Sequence, residues 1–286
     1  MDSTTFFLVL CSSLIHALWN FAARTTKGNL PVLWIAVSTA SVLLPLITIP
    51  LDTSLRDFLD INNPTLILIL LSGLIHGIYY LILFKAYEEG EISTVYPIAR
   101  GTSVLIASIG GVVLLGDKLS GRGALGICSV ISGIIFIGLS SSKKNTIELH
   151  SLKLAIVVGV LSAGYSLVDA FAVKNFNPIL FLIAFFPVSA LVMFPFTYKA
   201  LRQEDLRVIR KHSKALLCVA LGIPAAYVFI LVAFQTGVVG YISSVREMSV
   251  VIGALLGFLM LKEQVSRRKV IGILAIVLGA LLIKLA

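Results

Sequence analysis

Two arginines lie inside apolar stretches of the chain and are the residues best suited to binding a charged ligand. Arg100 occurs in the otherwise uncharged run 92–116, and Arg246 occurs in the run 238–261. A guanidinium in such a segment costs at least about 2.5–3.5 kcal/mol to insert into a membrane, so it should face a polar cavity or a charged partner. Because a guanidinium can grip a carboxylate, phosphate or phosphonate with two hydrogen bonds, both arginines are candidate anion-binding residues.

The two arginines differ in the counter-charges that the sequence offers them. Arg246 is followed directly by Glu247, and Asp169 falls late in its own run, where we expect it on the same side of the membrane. Asp169 either neutralises Arg246 or binds a proton or a substrate ammonium group. The apolar runs of the first half contain no carboxylate, and the acidic residues nearest to Arg100 lie in the preceding turn: Glu88, Glu89 and Glu91. We therefore expect Arg100 to be unpaired and to hold the anionic group of a substrate.

Two histidines, His16 and His76, also lie within apolar runs. Each could carry a coupled proton, because histidine titrates near neutral pH, or could simply hydrogen-bond between helices. A zinc site is not favoured, because no further cysteine or carboxylate occurs at ligand spacing. The other candidate binding residues are amide and aromatic side chains that could line a cavity, although packing explains single tyrosines equally well: Trp19, Asn20, Tyr79, Tyr80, Tyr96, Tyr165 and Tyr227.

The composition indicates an all-α integral membrane protein. Only 13% of the 286 residues are charged, against about 25% in soluble domains, and the mean hydropathy is +1.02. Continuous apolar runs favour membrane-spanning helices over the alternating segments of a β-barrel. Ten runs have spanning length: 4–23, 30–50, 64–85, 92–116, 121–140, 152–173, 178–198, 214–235, 238–261 and 269–285.

The distribution of basic residues predicts the orientation of these ten helices in the membrane. The odd-numbered loops carry sixteen Lys and Arg residues, whereas the even-numbered loops and the tail carry five. Because basic loops remain in the cytoplasm, this bias predicts that both termini lie outside, in a multi-pass protein of the inner or plasma membrane. It also explains the net charge of +9 better than nucleic-acid binding does, since the chain has no basic helix or RNA-binding motif.

Residues 1–145 and 146–286 are predicted to be two copies of one five-helix unit. Asp117 follows the fourth run, and Glu263 follows the ninth at the equivalent position. Each closing helix then carries glycine at every seventh residue, as Gly126 and Gly133 and again as Gly272 and Gly279, which predicts close helix packing. Because each copy has an odd number of spans, the second must be inverted in the membrane. Inverted repeats are typical of secondary transporters with a site near the midplane.

These features resemble the EamA family of the drug/metabolite transporter superfamily. The residues that carry the resemblance are 86–138 and 233–285, with weaker support from the front helices of each half. The second copy departs from the pattern, because Lys262 replaces the glycine that precedes the acidic residue in the first copy. The resemblance implies a carrier that moves small polar metabolites by alternating access without hydrolysing ATP.

Other function classes have less support. The chain has no GxSxG or HExxH motif, so we do not expect an enzyme, and two unequal arginine sites do not indicate a channel lining. Two transporter classes remain: a carrier of anionic or zwitterionic metabolites, and an exporter of cationic drugs or a lipid-headgroup flippase. The two arginines favour the carrier. We expect the lipid bilayer, a small substrate, a coupling proton and a second copy of the chain as partners, and no cofactor, metal or nucleic acid.

Overall fold

The chain is built from α-helices over the residues that the structure, a computed structural model, describes: 1–23, 30–48, 61–89, 92–141, 149–203, 213–261 and 266–286. The helices of these ranges are α1 (Ser3–Ala23), α2 (Leu30–Thr48), α3 (Asn63–Glu89), α4 (Ile92–Leu115), α5 (Gly121–Ser141), α6 (Leu149–Ala172), α7 (Pro178–Gln203), α8 (Ser213–Thr236), α9 (Val239–Val245), α10 (Met248–Leu261) and α11 (Arg267–Lys284). Some features of the sequence analysis lie outside the described residues: Glu91, Lys262, Glu263 and the predicted boundary between the repeats at 145–146.

Nine stretches of helix in the described ranges are long and apolar enough to cross a membrane. One of them, Val239–Met260, includes both α9 and α10. The final helix, α11, has 18 residues but begins Arg267–Arg268–Lys269 and ends in Lys284, so its charge keeps it out of this group. Helices cover most of the described residues of the predicted runs, with run 238–261 divided between α9 and α10, and the chain is a multi-pass membrane protein.

The outer surface of the bundle has the apolar character that lipid requires. Val113 is 72% exposed, Leu191 71% and Leu259 70%, whereas a soluble monomer rarely exposes contiguous apolar patches larger than a few hundred Å². Phe181 and Phe185 of α7 and Phe234 of α8 are among the largest fully buried side chains. Buried residues of both halves, such as Val9 and Ile230, belong to one core, and the outward faces are those of a protein surrounded by acyl chains.

The two closing helices, α5 and α11, pack against each other through their glycines. A Cβ atom at Gly133 would lie 2.6 Å from the carbonyl oxygen of Gly272, and one at Gly126 would lie 2.8 Å from that of Gly279. The predicted role of these glycines in close packing is confirmed. Because the contacts pair rising numbers in α5 with falling numbers in α11, the two helices run antiparallel.

The break in the helical architecture occurs in the second half of the chain. In the first half, α4 contains Pro97 and is continuous from Ile92 to Leu115. In the second half, α9 ends at Val245 and α10 begins at Met248, so that Arg246 and Glu247 occupy a turn. Backbone bonds there run from residue i to i−3, as in Glu247 N–H to Ser244 O at 3.1 Å, which tightens the helix at this point.

Candidate functional site

Arg100 is fixed by a buried carboxylate. Its Nε donates to Glu247 Oε2 at 3.0 Å and its Nη2 donates to Glu247 Oε1, so the pair is bidentate. Arg100 is 8% exposed and Glu247 1%. The prediction that Arg100 is unpaired is therefore wrong. The acidic partner comes from the turn between α9 and α10, which is remote in sequence from the first-half helices considered for this arginine.

Arg246 forms no ion pair within the described part of the chain. Its guanidinium carbon lies 5.5 Å from the centroid of the Tyr227 ring, and its buried Nε has no hydrogen-bond partner among the described residues. The predicted pairing with Glu247 is wrong, because Glu247 faces α4. Direct pairing with Asp169 is also wrong, because Tyr227 stacks on Arg246 and donates its hydroxyl to Asp169 Oδ2. Of the two arginines at the site, Arg246 is thus the one without an ion pair among the described residues.

Asp169 lies behind the aromatic wall of the site and is fully buried. Besides the bond from Tyr227, its Oδ2 is 3.8 Å from His76 Nε2. His76 is held between two rings, with its centroid 3.9 Å from that of Tyr165 and 4.6 Å from that of Phe185. Its Nδ1 is 3.0 Å from the carbonyl oxygen of Ser72. Residues of α3, α6, α7 and α8 therefore position this imidazole.

Eleven of the thirteen predicted site residues line one cavity of about 210 Å³. Glu247 and Asp169 are the two exceptions, and both lie behind side chains of the wall. The predicted residues that line it are His16, Trp19, Asn20, His76, Tyr79, Tyr80, Tyr96, Arg100, Tyr165, Tyr227 and Arg246.

Several residues of the wall were not predicted from the sequence, among them Tyr87, Ser162 and Phe186. Ser162 Oγ donates to the hydroxyl of Tyr165 at 3.1 Å and accepts from Ser103 Oγ at 3.0 Å, so it joins α4 to α6. Its spacing of three residues from Tyr165 was a signal that could have identified it. Phe186 lies in a uniformly apolar stretch of α7 and offered no such signal.

The charge at the cavity wall is positive. Arg100 and Arg246 both line it, whereas no carboxylate of the described residues does. Two buried donors at this wall, Arg246 Nε and Trp19 Nε1, have no acceptor among the described residues. A buried donor without a partner is unfavourable. Arg246 is the more exposed of the two arginines, so its guanidinium is suited to a ligand that supplies acceptor oxygens.

The cavity extends toward one end of the bundle. Its lining includes Asn20 near the end of α1, Val32 near the start of α2 and Tyr87 near the end of α3, and Asn20 is exposed there. At the opposite end the helices are joined by hydrogen bonds. Thr5 Oγ1 lies 3.2 Å from Thr236 Oγ1, so α1 and α8 meet there.

The acidic residue after α4 closes this opposite end. Gly116 has φ +71°, a left-handed conformation that glycine adopts readily, and it turns the chain so that Asp117 Oδ2 accepts the Val239 N–H at 2.8 Å. The hydroxyl of Tyr241 also accepts the Ser120 N–H at 2.9 Å. The loop of the first half thus caps the first helical turn of α9 in the second half.

Comparisons with known proteins agree with this architecture. The sequence model of the EamA-like transporter family matches residues 3–139 and again residues 150–285. A search of curated protein sequences found no match. A solved crystal structure superposes on the chain with a TM-score of 0.82 at 17% identity, covering 100% of this chain and 98% of the other, and this similarity supports the fold. The chain, matched by the family model in two consecutive repeats, belongs to the EamA-like transporter family.

Proposed function

We propose that this protein is a secondary transporter that carries a small anionic or zwitterionic metabolite across the inner or plasma membrane. The observation that supports this proposal best is the cavity wall, which presents two guanidinium groups and no carboxylate of the described residues. Membership of the EamA-like transporter family makes transport the relevant activity. An amino acid, organic acid or phosphonate would supply anionic oxygens, which no described residue of the wall provides.

Arg246 rather than Arg100 is the proposed anion anchor. Arg100 already gives two hydrogen bonds to Glu247, so its charge is largely compensated and its remaining donors play a secondary part. The guanidinium of Arg246 stacks on Tyr227 and keeps its Nε free of described partners. It also sits at a helix break, and discontinuous helices form the substrate sites of many secondary transporters.

The proposed mechanism is alternating access in a bundle of ten spans, arranged as two inverted five-helix repeats. The antiparallel packing of α5 on α11 supports the inversion, because these helices close the two halves. The cavity extends to the end of the bundle near Asn20 and Tyr87, which the basic loops assign to the cytoplasm. At the other end of the bundle, the hydrogen bond between Val239 N–H and Asp117 Oδ2 would break when the cavity opens to the outside.

The substrate class can be tested by measuring the Tm of detergent-purified protein with a panel of ligands. A ligand at 100 times its Kd stabilises the folded state by about 2.7 kcal/mol, so stronger binders raise Tm further. We expect amino acids, organic acids or phosphonates to raise Tm and quaternary amines to leave it unchanged. The reverse ranking would favour an exporter of cationic drugs or a lipid-headgroup flippase, for which the tyrosines of the wall offer cation–π contacts.

Arg246→Gln tests the anchor with the same assay. The variant should lose stabilisation by the anionic ligands and keep a Tm near that of the unliganded wild-type protein. The matched control is Arg122→Gln, because Arg122 is exposed and its Nη1 donates to Leu285 O at 3.1 Å, away from the cavity. Equal stabilisation of wild type and Arg246→Gln by every anion would overturn the proposed role of Arg246.

A further inference from the structure

The carboxylate of Asp169 lies in an environment that contains few groups able to balance its charge. The titratable and charged side chains that face it or its neighbour His76 are Tyr80, Tyr165, Tyr227 and Arg246. The neighbouring helix α7 contributes Phe185, which does not titrate. Asp169 Oδ1 has no hydrogen-bond partner among the described residues. An ionised carboxylate buried in this way is unfavourable without a close cation or a proton.

The hydrogen bonds of His76 determine what its other nitrogen can do. Its Nδ1 lies 3.0 Å from the Ser72 carbonyl oxygen and 3.3 Å from Ser72 Oγ. A hydrogen on Nδ1 satisfies the shorter contact, because a carbonyl oxygen only accepts. In the neutral imidazole, Nε2 is then an acceptor. It faces Asp169 Oδ2 at 3.8 Å, and an ionised Oδ2 is also an acceptor. Two acceptors facing each other in a buried site form a receptor for one proton.

From this geometry we propose that Asp169 and His76 together bind one proton, and that this proton is the coupling ion of the carrier. The proposal rests on the proposed function, since a coupling ion requires a transported substrate. The proton enters from water on one side of the membrane, is held by the carboxylate and imidazole, and leaves to water on the other side. No covalent bond to substrate forms or breaks in the cycle.

Tyr227 connects this proton site to the proposed anion site. Its hydroxyl donates to Asp169 Oδ2, while its ring lies 5.5 Å from the guanidinium carbon of Arg246. An anion bound at Arg246 adds negative charge near the carboxylate and so favours its protonated form. The reverse also holds, because coupling between two binding sites is reciprocal. Anion and proton therefore bind together, which is the requirement for symport.

Infrared difference spectroscopy detects the proton without any substrate. Purified protein reconstituted in lipid is titrated between about pH 5 and pH 8, the range in which histidine and its close partners change charge. We expect a carboxylic acid C=O stretching band that appears as the pH falls and is absent from Asp169→Asn. The control Asp2→Asn, which removes an exposed carboxylate at the N-terminus, should keep the band. A wild-type spectrum without a titrating band of this kind overturns the proposal.

A binding assay then tests the coupling with lactate and alanine, whose net charges stay constant over this pH range. Whichever of the two probes binds wild-type protein, its affinity should rise by up to about tenfold for each unit by which the pH falls. The reason is that one proton binds together with the probe. Asp169→Asn should bind the same probe with no dependence on pH. A pH dependence that persists in Asp169→Asn contradicts the proposed site.

The two assays separate failure of this proposal from failure of the proposed function. If neither probe binds but the carboxylic acid band titrates and disappears in Asp169→Asn, the proton site stands and the substrate class needs revision. If a probe binds to wild type and not to Arg246→Gln, yet no band titrates, the anion carrier stands and its coupling does not involve Asp169. His76→Gln should shift the pH at which the band appears, because it removes the second acceptor.

Discussion

Arg100 and Glu247, which are 147 residues apart in the chain, form a bidentate buried ion pair that joins α4 to the break between α9 and α10. The pair has two consequences for the site. It compensates one of the two arginines at the cavity wall, and it holds the turn that carries Arg246. The neighbouring arginine is thus presented to the cavity by a contact between the two halves of the protein.

The first prediction concerns the stability that depends on this pair. Arg100→Gln or Glu247→Gln alone should lower the free energy of unfolding by about 3–5 kcal/mol, because each leaves a buried charge without its partner. The double variant should recover much of the loss, since no charge then remains unpaired. Unfolding of the detergent-purified variants measures all three values. Losses that simply add in the double variant would show that the two side chains do not interact.

The second prediction concerns the glycine contact between α5 and α11. Gly133→Ala should destabilise the protein by about 1–3 kcal/mol, because the added Cβ meets the Gly272 carbonyl oxygen at 2.6 Å. Gly253→Ala is the matched control, since nothing lies within 4 Å of a Cβ there. The control should be neutral or up to about 1 kcal/mol more stable, because alanine favours helix. Equal Tm values for both variants would exclude the close packing.

The third prediction concerns the direction in which the cavity is open. In a background with Cys11, Cys128 and Cys218 replaced by serine, Asn20→Cys should react quickly with a membrane-impermeant thiol reagent, because Asn20 is exposed at the cavity end. Thr5→Cys should react slowly, because Thr5 is 2% exposed at the hydrogen-bonded end. The reaction rates are compared in intact cells and in inverted vesicles. Fast labelling of Asn20→Cys only in intact cells would reverse the assignment of sides.

The fourth prediction concerns orientation in the membrane. Alkaline phosphatase, which folds only outside the cytoplasm, should be active when fused after Ala286 and inactive when fused after Gln203, at the end of α7. The reason is the sixteen basic residues of the odd-numbered loops, which favour the cytoplasm. The opposite pattern of activity would place both termini inside and would invert the proposed direction of the cavity.

The lining of the cavity was largely predictable from sequence. Polar and aromatic residues in otherwise apolar helices must face something other than lipid, and helical spacing groups them by face. For this reason Tyr96, Arg100 and eight other residues meet Arg246 at one cavity. The family resemblance was predictable as well, because both halves carry the same order of runs and glycines, and it is confirmed.

The partners of the charged residues were not predictable. Adjacent residues on a helix point about 100° apart, so Glu247 faces α4 while Arg246 faces the cavity. The spacing of residues in the sequence does not predict how α9 and α10 are rotated about their axes. It also does not predict that α4 lies close to the turn between them. The helix break itself lacks glycine and proline, and its only signal is a pair of opposite charges inside an apolar run.

The separation of Arg100 from Glu247 has a consequence for synthesis of the protein. At about 5–20 residues per second, the ribosome adds Glu247 roughly 7–30 s after it has added Arg100. During that interval α4 must enter the bilayer with its guanidinium uncompensated, supported only by its apolar neighbours. Biogenesis is therefore complete only when the second half has arrived, and a chain truncated before Glu247 should be a target for membrane quality control.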